Sequence, residues 1–235
     1  MNEHTHKQFD AEMEQIRTGV LAMGGLVETQ LSRAIGLLDD EDAPATVDQV
    51  GAAEQQINQM QMTIDQQCSQ IIAKRQPAAI DLRMILTITK IVNDLERVGD
   101  EAKKVAYKAG ETHGSDRLTS VRHFDVVRAA RSAQEMLQAS LDAFARLDPV
   151  AAAAVIRRDV EIDAAFGAIL RQLISYMMED PRTISAAIEI VFIAKSIERV
   201  GDHAKNIAEA VVQVVKGKDV RHASAEQIRA EVAEE

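Results

Sequence analysis

Two stretches of this chain are near copies of each other. Residues 96–106 read ERVGDEAKKVA and residues 198–208 read ERVGDHAKNIA, with eight of eleven positions identical at an offset of 102 residues. Five consecutive identities with three more in register point to a duplicated unit of about one hundred residues. Whatever the chain folds into must therefore be built twice. Its 235 residues have room for two such units and little more.

The pattern inside each copy is helical. Apolar residues recur at spacings of three and four, as on one face of an α-helix. The first row is Phe9, Met13, Ile16, Val20, Met23, Val27, Leu31, Ala34 and Leu38. A second helix is expected from Val47 to Ile72, after the acidic break Asp39–Pro44 and before Pro77, which interrupts helix geometry. A third runs through Leu82, Ile85, Ile88, Val92, Leu95, Gly99, Ala102, Ala106 and Ala109, and the polar stretch Gly110–Asp116 reads as a loop. A fourth covers about Leu118–Leu147. Asp148-Pro149 and Asp180-Pro181 each place an N-cap Asp before a first-turn Pro, so helix five runs from Pro149 to Met178 and helix six from Pro181 to Val215. Lys216-Gly217-Lys218 is a stop, and Ser224 with Gln227 resembles a capping box for a short tail helix.

The expected fold is all-α: two tandem, pseudo-symmetric three-helix bundles of six long antiparallel helices, plus a short C-terminal tail. Domains are expected at 1–113, 114–219 and 220–235. Composition agrees. Aromatic residues make up 3% of the chain and there is no Trp, which argues against a β-sandwich and against single-strand nucleic-acid stacking platforms. The formal net charge of −10 argues against direct binding to a phosphate backbone. Cys68 is the sole cysteine, so no internal disulfide forms and a reducing compartment is expected. It reads as a buried packing residue rather than a nucleophile. The first residues lack a basic and apolar leader pattern, and no apolar run reaches about 18 residues, so neither a secretory leader nor a membrane span is expected.

The chemistry sits on the duplicated helix. Glu96 and Asp100, Glu198 and Asp202, and Asp159 and Asp163 are each spaced i, i+4 and so share a helix face. One such pair is ordinary on an acidic helix; three in related positions are not. Glu54-Gln-Gln-Ile57-Asn58 corresponds to Asp159-Val-Glu-Ile162-Asp163. Clustered carboxylates repel one another unless a cation or proton intervenes. All-oxygen ligation suits hard cations, and zinc also accepts carboxylates. The alternative is neutralisation by Arg97 and Arg199. His203 is a secondary ligand candidate, and the other His are scattered, His4 and His6 on a terminal tail. Gly99, Ala102 and Ala106, repeated as Gly201, Ala204 and Ala208, form a stripe suited to close helix packing.

These residues resemble the PhoU family. The resemblance spans essentially the whole chain and is carried by Met23-Gly24-Gly25, Lys74-Arg75-Gln76-Pro77 leading to Asp81-Leu82-Arg83, and the two ERVGD segments. Tyr176–Asp180 and Val215–Asp219 extend it. It implies two multinuclear metal clusters (iron, zinc, manganese or magnesium), one on Glu54, Asn58, Glu96 and Asp100, the other on Asp159, Asp163, Glu198 and Asp202. Asn58 stands where the family pattern has Asp, so the second cluster is expected to fill first. The resemblance further implies a non-enzymatic cytoplasmic regulator. It would repress phosphate-starvation signalling and restrain uptake by coupling the ATPase subunit of a phosphate ABC transporter to a sensor histidine kinase. It would be a homodimer with no direct nucleic-acid contact, reaching the membrane only through partners. The competing classes are a carboxylate-bridged di-metal enzyme and a purely structural bundle. Glu3–His6, the one Glu-x-x-His spacing, falls on the terminus, which weighs against ferritin-like chemistry.

Overall fold

A computed structural model describes residues 2–39, 47–112, 119–221, 223 and 225–233. Among them are seven α-helices and no strand: α1 (Asn2–Asp39), α2 (Val47–Arg75), α3 (Ala79–Thr112), α4 (Thr119–Arg146), α5 (Pro149–Glu179), α6 (Ile184–Lys216) and α7 (Ala225–Ala233). Helices α1–α3 pack on one another, as do α4–α6. The apolar rows predicted from spacing form their interiors: Ile16, Val20, Met23, Val27 and Leu31 on α1, and Ile85, Ile88, Val92 and Leu95 on α3, are buried. The two bundles share one continuous apolar core.

The most extensive helix contact joins the bundles, α3 against α6. These two run antiparallel, because early residues of one meet late residues of the other. Lys90 Nζ donates to Gln213 Oε1 at 2.9 Å. Asp94 Oδ1 accepts from His203 Nδ1 at 2.8 Å and Asn206 Nδ2 at 3.2 Å. Arg199 pairs with Glu101 at 2.7 Å, and Lys108 with Glu189. Glu101 is 2% exposed, a buried carboxylate that needs its cation. Helix α6 also packs on α4 and α5, and its sequence answers that position: it carries buried residues around most of its circumference.

Helix ends follow local chemistry. Leu147 takes a left-handed φ of 50°, and the Asp148 N–H returns to Ala143 O at 2.9 Å, closing α4. The Asp148 side chain then accepts from the Val150 and Ala151 N–H groups at 2.9 and 3.0 Å, opening α5 at Pro149 as predicted. Asp180 behaves differently. It accepts from Arg182 N, but Pro181–Thr183 forms a 3-10 turn, and α6 starts at Ile184. Thr183 explains the shift: buried, its Oγ1 donates to Asp180 O at 2.8 Å and competes with the regular ladder. At the other end Gly217 (φ 77°) provides the expected stop.

Two expectations shift at the boundaries. Helix α3 continues through Gly110 to Thr112, the rest of the expected loop lying outside the described residues. Backbone helix begins at Asn2, so His4 and His6 are on a helix rather than a loose tail. The acidic break beyond Asp39, the division at 113/114 and Ser224 all lie outside the described residues. Asp148→Ala removes the one side-chain cap at the α4–α5 turn and should lower unfolding stability by about 1 kcal/mol. Urea denaturation with an unchanged m-value would measure it.

Candidate metal centres

In each bundle the third helix comes unusually close to the second. A Cβ added at Gly201 would lie 3.2 Å from Ile162 Cγ2, and one at Gly99 would lie 3.3 Å from Ile57 Cδ1 and 3.0 Å from Gln30 Oε1. The isoleucines press into the space the missing side chains leave. Ile57 sits between Glu54 and Asn58 in sequence, and Ile162 between Asp159 and Asp163. Gly99 and Gly201 likewise lie within the Glu96–Asp100 and Glu198–Asp202 turns. Docking Ile on Gly therefore brings each pair of acidic turns face to face. The glycines earlier read as packing residues are that, and the packing places the acids.

The second bundle assembles the tighter cluster. One oxygen from each of Asp159, Asp163 and Asp202 lies within 4.8 Å of the others. Asp159 is buried at 5% exposure, Asp202 is half-buried and Asp163 is exposed. Asp159 Oδ2 accepts from Lys205 Nζ at 2.6 Å. Burial first, then the charges of Glu198, Asp159 and Asp163, hold the Asp202 carboxyl above the usual range. Asp163 is raised in the same way, by burial and then by Asp159 and Glu198. The fourth predicted ligand, Glu198, is near enough to exert that repulsion, but its Oε2 accepts from Lys195 Nζ at 2.5 Å.

The first bundle repeats the plan less tightly. Glu54 Oε2 accepts from Lys103 Nζ at 2.7 Å, and Asn58 Nδ2 reaches Glu54 Oε1 at a long 3.5 Å. Burial raises the Glu96 carboxyl, with Asp100 and Glu54 adding to it and Arg97 opposing. Among the described residues these four do not gather three acidic ligand oxygens as closely as the second cluster does. Asn58 Oδ1 is sealed from water with no hydrogen-bond partner. An acceptor oxygen in that state lacks a cation or a donor.

Both donor sets fit a hard cation: oxygen ligands only, mutual repulsion to be relieved, and in the first site an orphaned amide oxygen. Zinc is compatible through carboxylates alone. His203 points away from this role, its Nδ1 held by Asp94 across the seam between bundles. Arg199 is also spent elsewhere, on Glu101. The cations at the acids are lysines: Lys103 on Glu54, Lys205 on Asp159 and Lys195 on Glu198. Their signal was present: Lys103 and Lys205 are identical in the two copies, three residues after Asp100 and Asp202. Cys68 is buried, and its thiol is pushed up to about 11 by burial, in keeping with a packing role.

Comparison with known proteins agrees with the duplicated architecture. A family profile described as "PhoU domain" matches the chain twice, at residues 20–109 and 126–211. The chain is 45% identical over 236 residues to a phosphate-specific transport system accessory protein PhoU homolog of Pseudomonas aeruginosa, covering 99% of this chain and 95% of that protein. It is 41% identical over 228 residues to the Escherichia coli accessory protein PhoU, covering 97% and 93%. The crystal structure of PhoU from Pseudomonas aeruginosa superposes with a TM-score of 0.84 at 46% identity, covering 89% of this chain and 100% of that one. A phosphate transport system regulatory protein PhoU from Streptococcus pneumoniae gives 0.82 at 26% identity, covering 90% and 99%. With two profile matches on its two bundles and relatives that align along nearly its whole length, this chain belongs to the PhoU family.

Proposed function

We propose that this protein is a non-enzymatic accessory regulator of phosphate transport. The observation that carries this is the end-to-end likeness, 99% of this chain against 95% of a protein named as a phosphate-specific transport accessory protein. In the finer reading it is a negative regulator. When phosphate is plentiful it connects the ATPase subunit of a phosphate ABC transporter to a sensor histidine kinase, restrains uptake and represses phosphate-starvation genes. It works in the cytoplasm as a homodimer and meets the membrane through those partners. No helix of the described residues is long and apolar enough to cross a membrane, which is compatible with that arrangement. The bundles at 1–113 and 114–219 act as two related units, with 220–235 as a tail. The comparisons offer nothing in favour of the di-metal enzyme alternative.

The two carboxylate clusters are proposed as its metal centres, built on Glu54, Asn58, Glu96 and Asp100 and on Asp159, Asp163, Glu198 and Asp202. When bound, iron, zinc, manganese or magnesium would neutralise charge that the fold has gathered, stiffening the α2–α3 and α5–α6 faces against which partners dock. The chain's own part is to hold the oxygens together and to supply Lys103 and Lys205 as counter-charges when no metal is present.

Three outcomes are expected. A phosphate-starvation reporter should become constitutive when the protein is deleted; normal repression would count against the regulatory reading. Elemental analysis of limiting-metal preparations should find the second cluster filled before the first, so that Asp202→Asn removes more metal than Asp100→Asn. The raised Asp202 and Asp163 carboxyls make a linked prediction about pH. A raised folded-state value means stability present below the unfolded value and lost as pH rises through the folded one. In chelator-treated protein Asp202→Asn should therefore melt above wild type at neutral pH, with the gap closing in acid. Added manganese should stabilise wild type more than the variant, which keeps only the first cluster.

A further inference from the structure

A second polar site lies two turns beyond Asp202 along α6. There α3, α6 and the segment after α6 enclose a cleft of about 300 Å³. Its least ordinary member is Glu209. This carboxylate is 6% exposed and lines the cleft, yet no described residue hydrogen-bonds it. Its oxygens are not sealed as Asn58 Oδ1 is; they open on the cleft, with Lys205 and Arg221 as the nearest positive charges, and a carboxylate confined there without a protein donor is placed to meet a donor in the cleft.

The rest of the lining states what that partner must be. Donors are plentiful. Lys90 Nζ spends one hydrogen on Gln213 Oε1 and keeps two. Among the described residues the Gln213 amide nitrogen and the Asn93 side chain have no acceptor, and Arg221 binds Asp219 through Nε and Nη2, leaving Nη1. Among the acceptors, Asp94 Oδ1 already takes bonds from His203 and Asn206, which leaves Asp94 Oδ2, the Glu209 carboxylate and the side-chain amide oxygens. A bare metal cation would face Lys90 and Arg221. An organic ammonium would bring a third positive charge to Lys90 and Arg221. A fully deprotonated oxyanion would face Glu209. One class satisfies all of them: a tetrahedral oxyanion that carries its own proton. Its oxygens take the donors, and its O–H forms a charge-assisted bond with the carboxylate.

We propose that this cleft binds a phosphate group, with Lys90, Gln213, Asn93 and Arg221 donating to its oxygens and Glu209 sharing its P–OH proton. The choice of phosphorus among protonated oxyanions rests on the phosphate reading above; the demand for the proton rests on Glu209. The group comes either as inorganic phosphate or as a phosphomonoester, and the cleft has room for a small ester.

The test is isothermal titration of the full-length, chelator-treated protein, so that phosphate carried by metal at the carboxylate clusters does not contribute. Inorganic phosphate, glycerol 3-phosphate and sulfate are titrated separately. Saturable binding of either phosphate compound, with sulfate weaker by about tenfold or more, is expected, since sulfate at neutral pH has no proton to offer Glu209. The tighter phosphate compound identifies the source. Glu209→Gln, which can donate where Glu209 accepts, should bring phosphate and sulfate to nearly equal affinity. Lys90→Met, at an exposed position that tolerates change, should weaken both anions in parallel. Equal binding of phosphate and sulfate to wild type would overturn the proposal. So would phosphate affinity that neither substitution changes, or no heat of binding at millimolar phosphate. None of these depends on the starvation reporter, so the site and the regulatory role fail separately. Should Glu209→Gln not fold, as judged by its melting curve, the sulfate comparison and Lys90→Met still decide.

Discussion

The contact on which this molecule turns is an isoleucine seated on a glycine, made once in each bundle. A mid-helix Gly costs about 1 kcal/mol against Ala, and each copy carries one within its run of five identical residues. Its return is proximity. With no Cβ at Gly99 or Gly201, Ile57 and Ile162 come within about one side-chain layer of the backbone, and the acidic turns on either side must follow. Like charges would drive those turns apart in an unconstrained pair of helices. Here burial first, and that repulsion second, raise the carboxyls of Asp163, Asp202 and Glu96, while the apolar contacts beneath them span the whole bundle. Packing wins because it is extensive and the repulsion is local and partly solvated.

The two copies diverge where they meet. Positions that face the second helix of their own bundle, Glu96, Gly99, Asp100 and Lys103, are unchanged at Glu198, Gly201, Asp202 and Lys205. Two of the three mismatches, Glu101 against His203 and Lys104 against Asn206, fall on the seam between α3 and α6. Antiparallel packing brings each copy's Arg near the other's mismatched position. Glu101 answers Arg199 and is itself buried, with Lys104 as a second cation. The equivalent place near Arg97 holds His203, which turns instead to Asp94, joined there by Asn206. A duplicated chain thus keeps its site twice and makes its seam once, from two different pairs of side chains.

That division explains what the sequence disclosed. Helix number, the Asp148 cap, the Gly217 stop and the pairing of bundles were legible because each rests on local spacing or on the repeat itself. The start of α6 was not, because Asp180-Pro181 carries the same N-cap signal as Asp148-Pro149 and only a buried Thr183 hydroxyl distinguishes them. The end of α3 was missed for the opposite reason: Gly110 lies in polar sequence, yet the helix runs on past it. For the site, helix periodicity put the acids on common faces, but which cations answer them depends on side-chain direction. Arg97 and Arg199 were the nearer candidates in sequence; Lys103 and Lys205, three residues past the acids, point along the same face, and Arg199 points to the seam. Glu209 gave no signal in sequence, because a lone Glu on a long helix is indistinguishable from a solvated one until its burial is seen.

The lysines also bear on what a metal could do here. Lys205 on Asp159 and Lys103 on Glu54 occupy the carboxylate that is farthest from solvent in each cluster's second helix, so a cation would enter against a charge already in place. It must either displace the ammonium or bind the remaining oxygens of Asp163 and Asp202. In the first case metal and lysine compete for one carboxylate, and the lysine's release moves a positive charge onto the bundle surface. In the second the lysine stays, and the site is a shallow one whose affinity depends on the exposed Asp163. Either way the Ile–Gly contact beneath is apolar and uses none of the ligand oxygens. An ion bound there would change the charge of the bundle surface while the apolar contact that gathers the acids stays where it is.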